Sequence, residues 1–288
     1  MLEVDLFCPL YNSAKYLDGI INGIKHQKNI IVKNIVFSIT ESSDNTLQMV
    51  KNLVTSSNDF KIKYFEVLKK DFSHSLTREK GMYDYCESNR VIFISDDVIM
   101  NDENLFYNLT RNLNEEIIHC FARQITKSKG IEKYTREKNY PKDSYIVSKE
   151  DIDRLQIKAF YSSDACSSYY RPKFIEINGY DHKDMKVSED MYYCRNALLH
   201  DYKIMYCADA IVLHSHNLKV KQVYKRYYDI GLFFKQNPEF KEYKATDSGL
   251  KLAFYILGQA LKHFDIPVLI KWLPDMTARY LGKKKGEK

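Results

Sequence analysis

VIFISDDVIM, residues 91–100, decides how the rest of the chain is read. Val91 to Ile94 has the apolar, β-branched content of a buried strand, and Ser95, Asp96 and Asp97 follow at once. Burying an unpaired carboxylate is strongly unfavourable, so two adjacent acids belong at the strand's end rather than inside it. Two readings stand. The acids cap a helix starting near Asn101–Asp102, or they hold a cation. Adjacent side chains on a strand point to opposite faces, so Asp97 is the expected ligand of a divalent cation and Asp96 faces a nucleotide or the backbone.

Working outward, Val4 to Pro9 reads as a first strand, and Asn12 or Ser13 as the cap of a helix with the stripe Leu17, Ile20, Ile21, Ile24. Ile31 to Ile39 is a second strand, followed by a helix carrying Leu47, Val50, Leu53 and Val54. Ile62 to Val67 is a third strand, Thr77 to Cys86 a helix and Val91 to Ser95 a fourth strand. Strands alternating with helices across short connections predict an α/β fold whose parallel sheet is covered on both faces. Ligands in such sheets sit at the carboxyl ends of the strands, where Pro9–Asn12, Glu41–Asp44 and Ser95–Asp97 all fall. Further on, Ile117 to Ala122, Lys203 to Tyr206 and Ala210 to His214 are expected strands, and Ser188 opens a helix to about His200. Residues from about Thr126 to Asp151 are polar without a firm period and read as a mobile connection. After Asn217 the pattern is helical, broken near Pro238 and Pro267.

The 288 residues carry a formal net charge of +6, and from Lys271 to Lys288 six basic residues face two acids. A surplus confined to the tail, with no recognised motif, argues against a nucleic-acid binder; it suits either a weak peripheral contact with an anionic membrane or simply a solvated, frayed terminus. The aromatic and aliphatic residues before it (Phe254, Tyr255, Ile256, Phe264, Trp272, Leu273) could pack on the body or lie in a membrane interface, and packing is the expectation. The six cysteines form no C-x-x-C pair and sit in or beside apolar runs, as thiols in a reducing, cytoplasmic setting do. The first residues have no signal-peptide character, and no apolar run approaches the roughly 20 residues that span a bilayer. The 23 tyrosines are read as core-filling rather than sugar-stacking residues.

Three more stretches carry candidate chemistry. In KVSEDMYYCRNALL (186–199), Ser188 is an N-cap with Glu189 and Asp190 in the first helical turn. The positive helix end is expected to keep Asp190 ionised, as a general base requires; a plain capping role is the competing reading. In AIVLHSHN (210–217), strand alternation puts His214 and His216 on one face, with metal or diphosphate contact and a structural role both open. In DFSHSLTREKG (71–81), His74 and Arg78 share a helical face, and Arg78 has the fork that grips phosphate.

Together these stretches resemble family 2 glycosyltransferases with a GT-A fold and, within them, the bacterial rhamnosyltransferases. CPLYNSAKYLDGIINGIKHQ (8–27) is similar to that family's first strand and helix, and SSDNTL (42–47) to the turn after its second strand. FSHSLTRE (72–79) resembles the rhamnosyltransferase Phe-His-Arg stretch, and FISDDVIMND (93–102) occupies the metal-motif position. SSDACSSYYRP (162–172) and residues 187–231 resemble the acceptor half in order and spacing. The resemblance covers roughly the first 235 residues and implies a Rossmann-like, mostly parallel sheet flanked by helices. It implies a catalytic domain over 1–217, with a nucleotide-sugar half at about 1–100 and an acceptor half at about 115–217, and a C-terminal helical region over 218–288 with a basic tail.

The resemblance also implies roles. Asp97 and His214 would serve Mg²⁺ or Mn²⁺, and Pro9, Tyr11, Glu41, His74, Arg78 and Asp96 the nucleotide sugar. Asp190 would be the catalytic base with Glu189 beside it, and Asp164, Arg171 and His216 would face the acceptor. The implied reaction is an inverting, metal-dependent transfer from a dTDP- or UDP-sugar, with dTDP-L-rhamnose the best match. The acceptor would be a cell-surface polysaccharide or lipid-linked oligosaccharide at the cytoplasmic membrane face. The chain departs from the pattern in having Ile39 and Thr40 where an acid usually contacts the pyrimidine, Ser95 for the first acid of the metal motif, and Glu79 and Asp164 for two common asparagines. Those departures motivate the alternative of a non-catalytic, sugar-nucleotide-binding scaffold in a polysaccharide assembly complex.

Overall fold

A computed structural model of the chain describes residues 1–57, 59–244 and 246–288. The strands are β1 (Leu2–Leu10), β2 (Ile30–Thr40), β3 (Lys61–Val67), β4 (Arg90–Ile94), β5 (Ile117–Ile125), β6 (Tyr145–Val147), β7 (Cys166–Tyr170) and β8 (Lys203–Leu213). The helices are α1 (Ala14–Lys25), α2 (Thr46–Ser56), α3 (His74–Lys80), α4 (Leu105–Thr110), α5 (Ile131–Asn139), α6 (Ile152–Leu155), α7 (Arg171–Glu176), α8 (Glu189–Leu199), α9 (Val220–Gln236), α10 (Thr246–Lys262) and α11 (Ile266–Gly286). All the strands join one eight-stranded sheet in the order β3-β2-β1-β4-β7-β5-β8-β6.

The sheet separates two cores. Val4, Leu6, Cys8 and Leu10 of β1 face Leu17, Ile20 and Ile24 of α1 and Val50 of α2. Phe7 points to the other face, where Phe93, Tyr169, Phe174, Tyr180 and Tyr193 pack. This burial on both faces is what the near-continuous apolar runs require. Tyr134, Tyr169, Tyr180, Tyr193 and Tyr206 are fully buried, so tyrosine is a core-filling residue here. Gly81 permits the close approach of the segment after α3, because a Cβ there would lie 2.3 Å from the Phe7 ring.

β1, β2, β3 and β4 are mutually parallel, as are β5 and β8. β7 runs antiparallel between β4 and β5, placing Cys166 against Ile94. The entry to β7 and the exits of β1, β2, β4, β5 and β8 therefore share one edge of the sheet.

Several expectations need correction. Residues 126–151 are not a bare connection: they hold α5 and the edge strand β6, which pairs with β8. Their period was invisible because α5 buries only Ile131 and Tyr134. The two expected strands at 203–214 are one strand, β8, whose bulge opposite Ala122 and Arg123 breaks the alternation. No helix begins near Asn101; α4 starts at Leu105, so Asp96 and Asp97 do not cap it. Ser188 adopts φ 63° and makes no side-chain cap bond, since that bond needs an extended N-cap.

The C-terminal segment is built into the body. Phe233 and Phe234 of α9, with Phe240 beyond it, join the second core. α11 runs through Gly286 and lies on α9 so closely that a Cβ on Gly282 would sit 2.4 Å from the Tyr224 carbonyl oxygen. Lys283 and Lys284 extend over the rings of Phe234 and Tyr280, so the basic tail is docked rather than frayed. Gly282→Ala is expected to destabilise the chain by about 1–3 kcal/mol, overriding the helix-propensity gain of about 1 kcal/mol. Gly258→Ala, on an α10 position with nothing within 4 Å, is expected to be neutral or stabilising. Thermal unfolding of the two variants compares them directly.

Candidate active site

The loop leaving β1 is tied to Asp96. Ser13 Oγ accepts the Tyr11 N–H at 2.8 Å and donates to Asp96 Oδ2. That use explains why Ser13, expected to cap α1, makes no cap bond. Burial raises the Asp96 pKa, helped by the charge of Asp97 and opposed by the Ser13 bond. Asp44 anchors the neighbouring turn, accepting from the N–H groups of Ala14 and Thr46 at 3.0 Å. Tyr11 is half-exposed beneath Lys69, whose Nζ lies 5.2 Å from the ring centroid. Glu41 is exposed on the same rim and Pro9 is half-buried in β1. Nothing in the sequence marks Lys69, which sits in a polar stretch with no motif.

Asp97 turns the other way. Its Oδ1 is 3.3 Å from His214 Nε2 and its Oδ2 3.6 Å from His216 Nδ1. The three residues bring one ligand atom each to within 4.8 Å of one another. Burial would raise the Asp97 pKa, but His214 and His216 hold it below the usual carboxylate range. Burial and His214 push His216 down to about 4, so it is neutral at pH 7.

The second layer fixes the His214 tautomer. Gln124 Oε1 accepts from Arg136 Nη1, so this atom is the amide oxygen. It lies 2.8 Å from His214 Nδ1, which therefore carries the proton. His214 Nε2 is buried without a hydrogen-bond partner, 3.3 Å from Asp97 Oδ1; a neutral His214 with its proton on Nδ1 would turn the Nε2 lone pair towards a cation there. One carboxylate oxygen and two ring nitrogens this close together could hold a divalent cation, and an acceptor on the far ring nitrogen orients a ligating imidazole, a role Gln124 Oε1 can fill here. Arg136 is itself paired with Glu132, which also takes the His216 N–H at 2.7 Å. α5 thus positions both histidines.

On the far side of β4, Ser95 N–H donates to Ala165 O at 3.0 Å. The adjoining Asp164 N–H is 3.4 Å from Asp190 Oδ2, and Asp190 Oδ1 accepts the Met191 N–H at 2.7 Å. Asp97 and Asp190 therefore lie on the same sheet edge, linked through Ser95 and Ala165. Burial raises the Asp190 pKa well above the carboxylate range, reinforced by the negative charges of Glu189 and Asp164. The helix end does not offset this, contrary to the expectation that it would hold Asp190 ionised.

Other expected site residues stand elsewhere. Arg78 is no free phosphate fork: its Nη1 bonds Glu189 Oε1 at 2.8 Å and its Nε lies 3.5 Å from Asp164 Oδ2. All three side chains are under a tenth exposed. His74 Nδ1 takes a further Arg78 N–H at 2.9 Å, and burial with that cation pushes His74 down to about 3. Glu189 is thus turned inward rather than towards an acceptor. Asp164 is also internal, accepting from Tyr169 and Tyr180 hydroxyls at 2.6 and 2.9 Å. Arg171 follows the far end of β7 and donates to the Met82 carbonyl, at the opposite sheet edge from Asp97. Glu79, read only as a departure, takes the Tyr180 N–H and His182 Nδ1 and pins the turn leading into α8.

A family model for "Glycosyl transferase family 2" matches residues 5–177. The chain belongs to glycosyltransferase family 2. It is a glycosyltransferase with a GT-A-like fold. It is 32% identical over 228 residues to the O-antigen chain rhamnosyltransferase WbaN of Salmonella anatum, covering 75% of this chain and 70% of that protein. It is 28% identical over 297 residues to the O-antigen chain rhamnosyltransferase RfbN of Salmonella typhimurium, covering 99% of this chain and 90% of that one. Among solved structures, the Pyrobaculum calidifontis mannosyltransferase PcManGT with GDP-Man and Mn²⁺ shares the fold at TM-score 0.65 and 11% identity, over 98% of this chain and 86% of that one. S. aureus TarS 1-349 with UDP-GlcNAc does so at TM-score 0.56 and 14% identity, over 98% and 91%. The family 2 match ends before α8, so the segments carrying Asp190, His214 and His216 lie beyond it.

Proposed function

We propose that this glycosyltransferase moves L-rhamnose from dTDP-L-rhamnose to a hydroxyl of a growing cell-surface glycan, with inversion at the anomeric carbon. The observation that carries the reading is the placement of the Asp97–His214–His216 cluster and the Asp190 carboxylate on one sheet edge. The names of the two Salmonella relatives support the sugar and the glycan acceptor.

In this reading Tyr11, Lys69, Glu41 and Pro9 form the rim that takes the nucleotide, and Asp96, fixed by Ser13, orients its ribose or phosphates. Asp97, His214 and His216 would hold the divalent cation, which offsets charge on the departing diphosphate. Asp190 removes the proton from the attacking hydroxyl as the new glycosidic bond forms and the bond to the diphosphate breaks. Residues 1–217 supply these groups, and 218–288 brace and extend them.

One carboxylate and two imidazoles favour Mn²⁺ over Mg²⁺, which prefers oxygen ligands. Gln124→Leu removes the acceptor that fixes the His214 tautomer, and is expected to weaken Mn²⁺ binding roughly 10–100-fold by calorimetry. The functional test is a panel of nucleotide sugars incubated with purified protein and Mn²⁺, with and without chelator. Turnover of dTDP-L-rhamnose, lost on chelation, is the expected result; selective turnover of another donor would replace the sugar, and chelator-resistant turnover would remove the cation.

A further inference from the structure

The outer side of the α10–α11 hairpin is apolar and uncovered. On α10, Leu250, Phe254 and Leu261 are 54%, 67% and 56% exposed. At 100° per residue these positions fall within one narrow stripe. On α11, Ile266, Ile270 and Leu273 are 56%, 71% and 64% exposed and form a second stripe. Between the helices Phe264 is 84% exposed, on a backbone held at φ 51° that bulky residues rarely adopt. The opposite sides of the same helices supply the hairpin's own core, where Ile256, Ala260 and Val268 pack on Ile131 and Tyr134 of α5. The exposure is thus a property of one face, and the expected packing of Phe254, Phe264 and Leu273 on the body does not occur.

Charge says what covers that face. Between Gly249 and Gly286 there are seven basic residues and two acids. Both acids are engaged: Asp265 accepts from the Val268 N–H, and Asp275 pairs with Arg279. Lys251, Lys262, Lys271, Lys284 and Lys285 are exposed. A second copy laid on the same face would bring these cations against their own kind. No helix among the described residues is long and apolar enough to cross a membrane, so the hairpin can lie on a bilayer but not span it.

We infer that the α10–α11 face is a docking surface for an anionic lipid bilayer, with Phe254, Phe264 and Ile270 entering the headgroup–acyl boundary and the lysines meeting the headgroups. This goes beyond the transfer reaction and holds whichever sugar is moved. It also places the membrane beside the site: a cavity of about 450 Å³ opens between His216 and Pro267 and Lys271 at the start of α11, with Lys127 and Lys129 on its other wall.

The test is flotation of the full-length chain with vesicles of phosphatidylcholine alone or mixed with phosphatidylglycerol. The wild type is expected to float with the mixed vesicles, less so at high salt, and weakly with phosphatidylcholine. The triple substitution Phe254→Ser, Phe264→Ser, Ile270→Ser should lose binding by roughly ten-fold for each side chain that enters the bilayer. Its melting temperature should match the wild type, since all three side chains already face water. Equal vesicle binding by the triple variant overturns the assignment, as does a wild type that stays off anionic vesicles at low salt. Sedimentation showing a dimer that the triple variant dissolves, without vesicle binding, gives the face to a second copy instead. Loss of vesicle binding with sugar transfer to a soluble acceptor intact separates this inference from the proposed reaction.

Discussion

Asp190→Asn is expected to lower kcat by roughly 10²–10⁴-fold while leaving donor affinity and melting temperature little changed. Asparagine keeps the size of the side chain and can still accept the Met191 N–H that positions it. What it loses is the ability to take a proton. The pH profile gives a second, independent readout. Burial and the charges of Glu189 and Asp164 raise the Asp190 pKa, so more of it is protonated at a given acidic pH than of an ordinary carboxylate. A base must be ionised to act, so the acid limb of kcat/KM should lie clearly above the ordinary carboxylate pKa of about 4. The same shift makes Asp190 the stronger base once ionised, which suits a group that works near neutral pH. A limb at the ordinary carboxylate position would show that the free protein solvates Asp190 fully. Retention of donor binding with loss of transfer would also dispose of the scaffold alternative, which predicts no transfer by the unaltered chain.

The part of the fold set by hydrophobic period is legible in the sequence. β1 to β4, α1 and α2 follow from their apolar runs, whose ends mark the carboxyl ends of the strands; α3 carries no apolar stripe, because it buries Ser75, Thr77, Arg78 and Glu79. β6 was not legible, because three residues give no period, and α5 was not, because its buried side is two residues. At the site, strand alternation puts His214 and His216 together, but both lie past Leu213, the end of β8, and their meeting with Asp97 depends on the isolated bridge between Ile99 and Leu213. Arg78 failed for a different reason. A sequence shows that an arginine is present, not where its partners lie, and Glu189 is 111 residues away. Ser13 and Asp164 show the same limit: the sequence offers them as a cap and an acceptor contact, whereas Ser13 bonds Asp96 and Asp164 lies against Arg78.

Arg78→Met is expected to destabilise the chain by about 3–5 kcal/mol, because it removes one partner of a buried ion cluster and leaves the others charged. Asp164, Glu189 and Asp190 are three carboxylates in contact with or beside a single guanidinium. Tyr169 and Tyr180 hydroxyls already satisfy Asp164, but Glu189 has Arg78 as its only side-chain donor among the described residues. Without the cation Glu189 must bind a proton or draw in water, and Asp190 loses a positive neighbour that opposes its raised pKa. Arg78→Lys should recover little, since an ammonium cannot fork between two carboxylates. Adding Glu189→Gln to Arg78→Met should recover a substantial part, because the buried charge is then gone, and the double-mutant cycle measures the coupling. The readout separates this role from the diphosphate contact that the rhamnosyltransferase resemblance implied. A phosphate ligand would raise donor KM and leave the melting temperature alone; a cluster cation moves the melting temperature first and reaches catalysis through Asp190. Unchanged thermal stability in Arg78→Met, with a selective rise in donor KM, would return Arg78 to the donor and require the cluster to open when the nucleotide sugar binds.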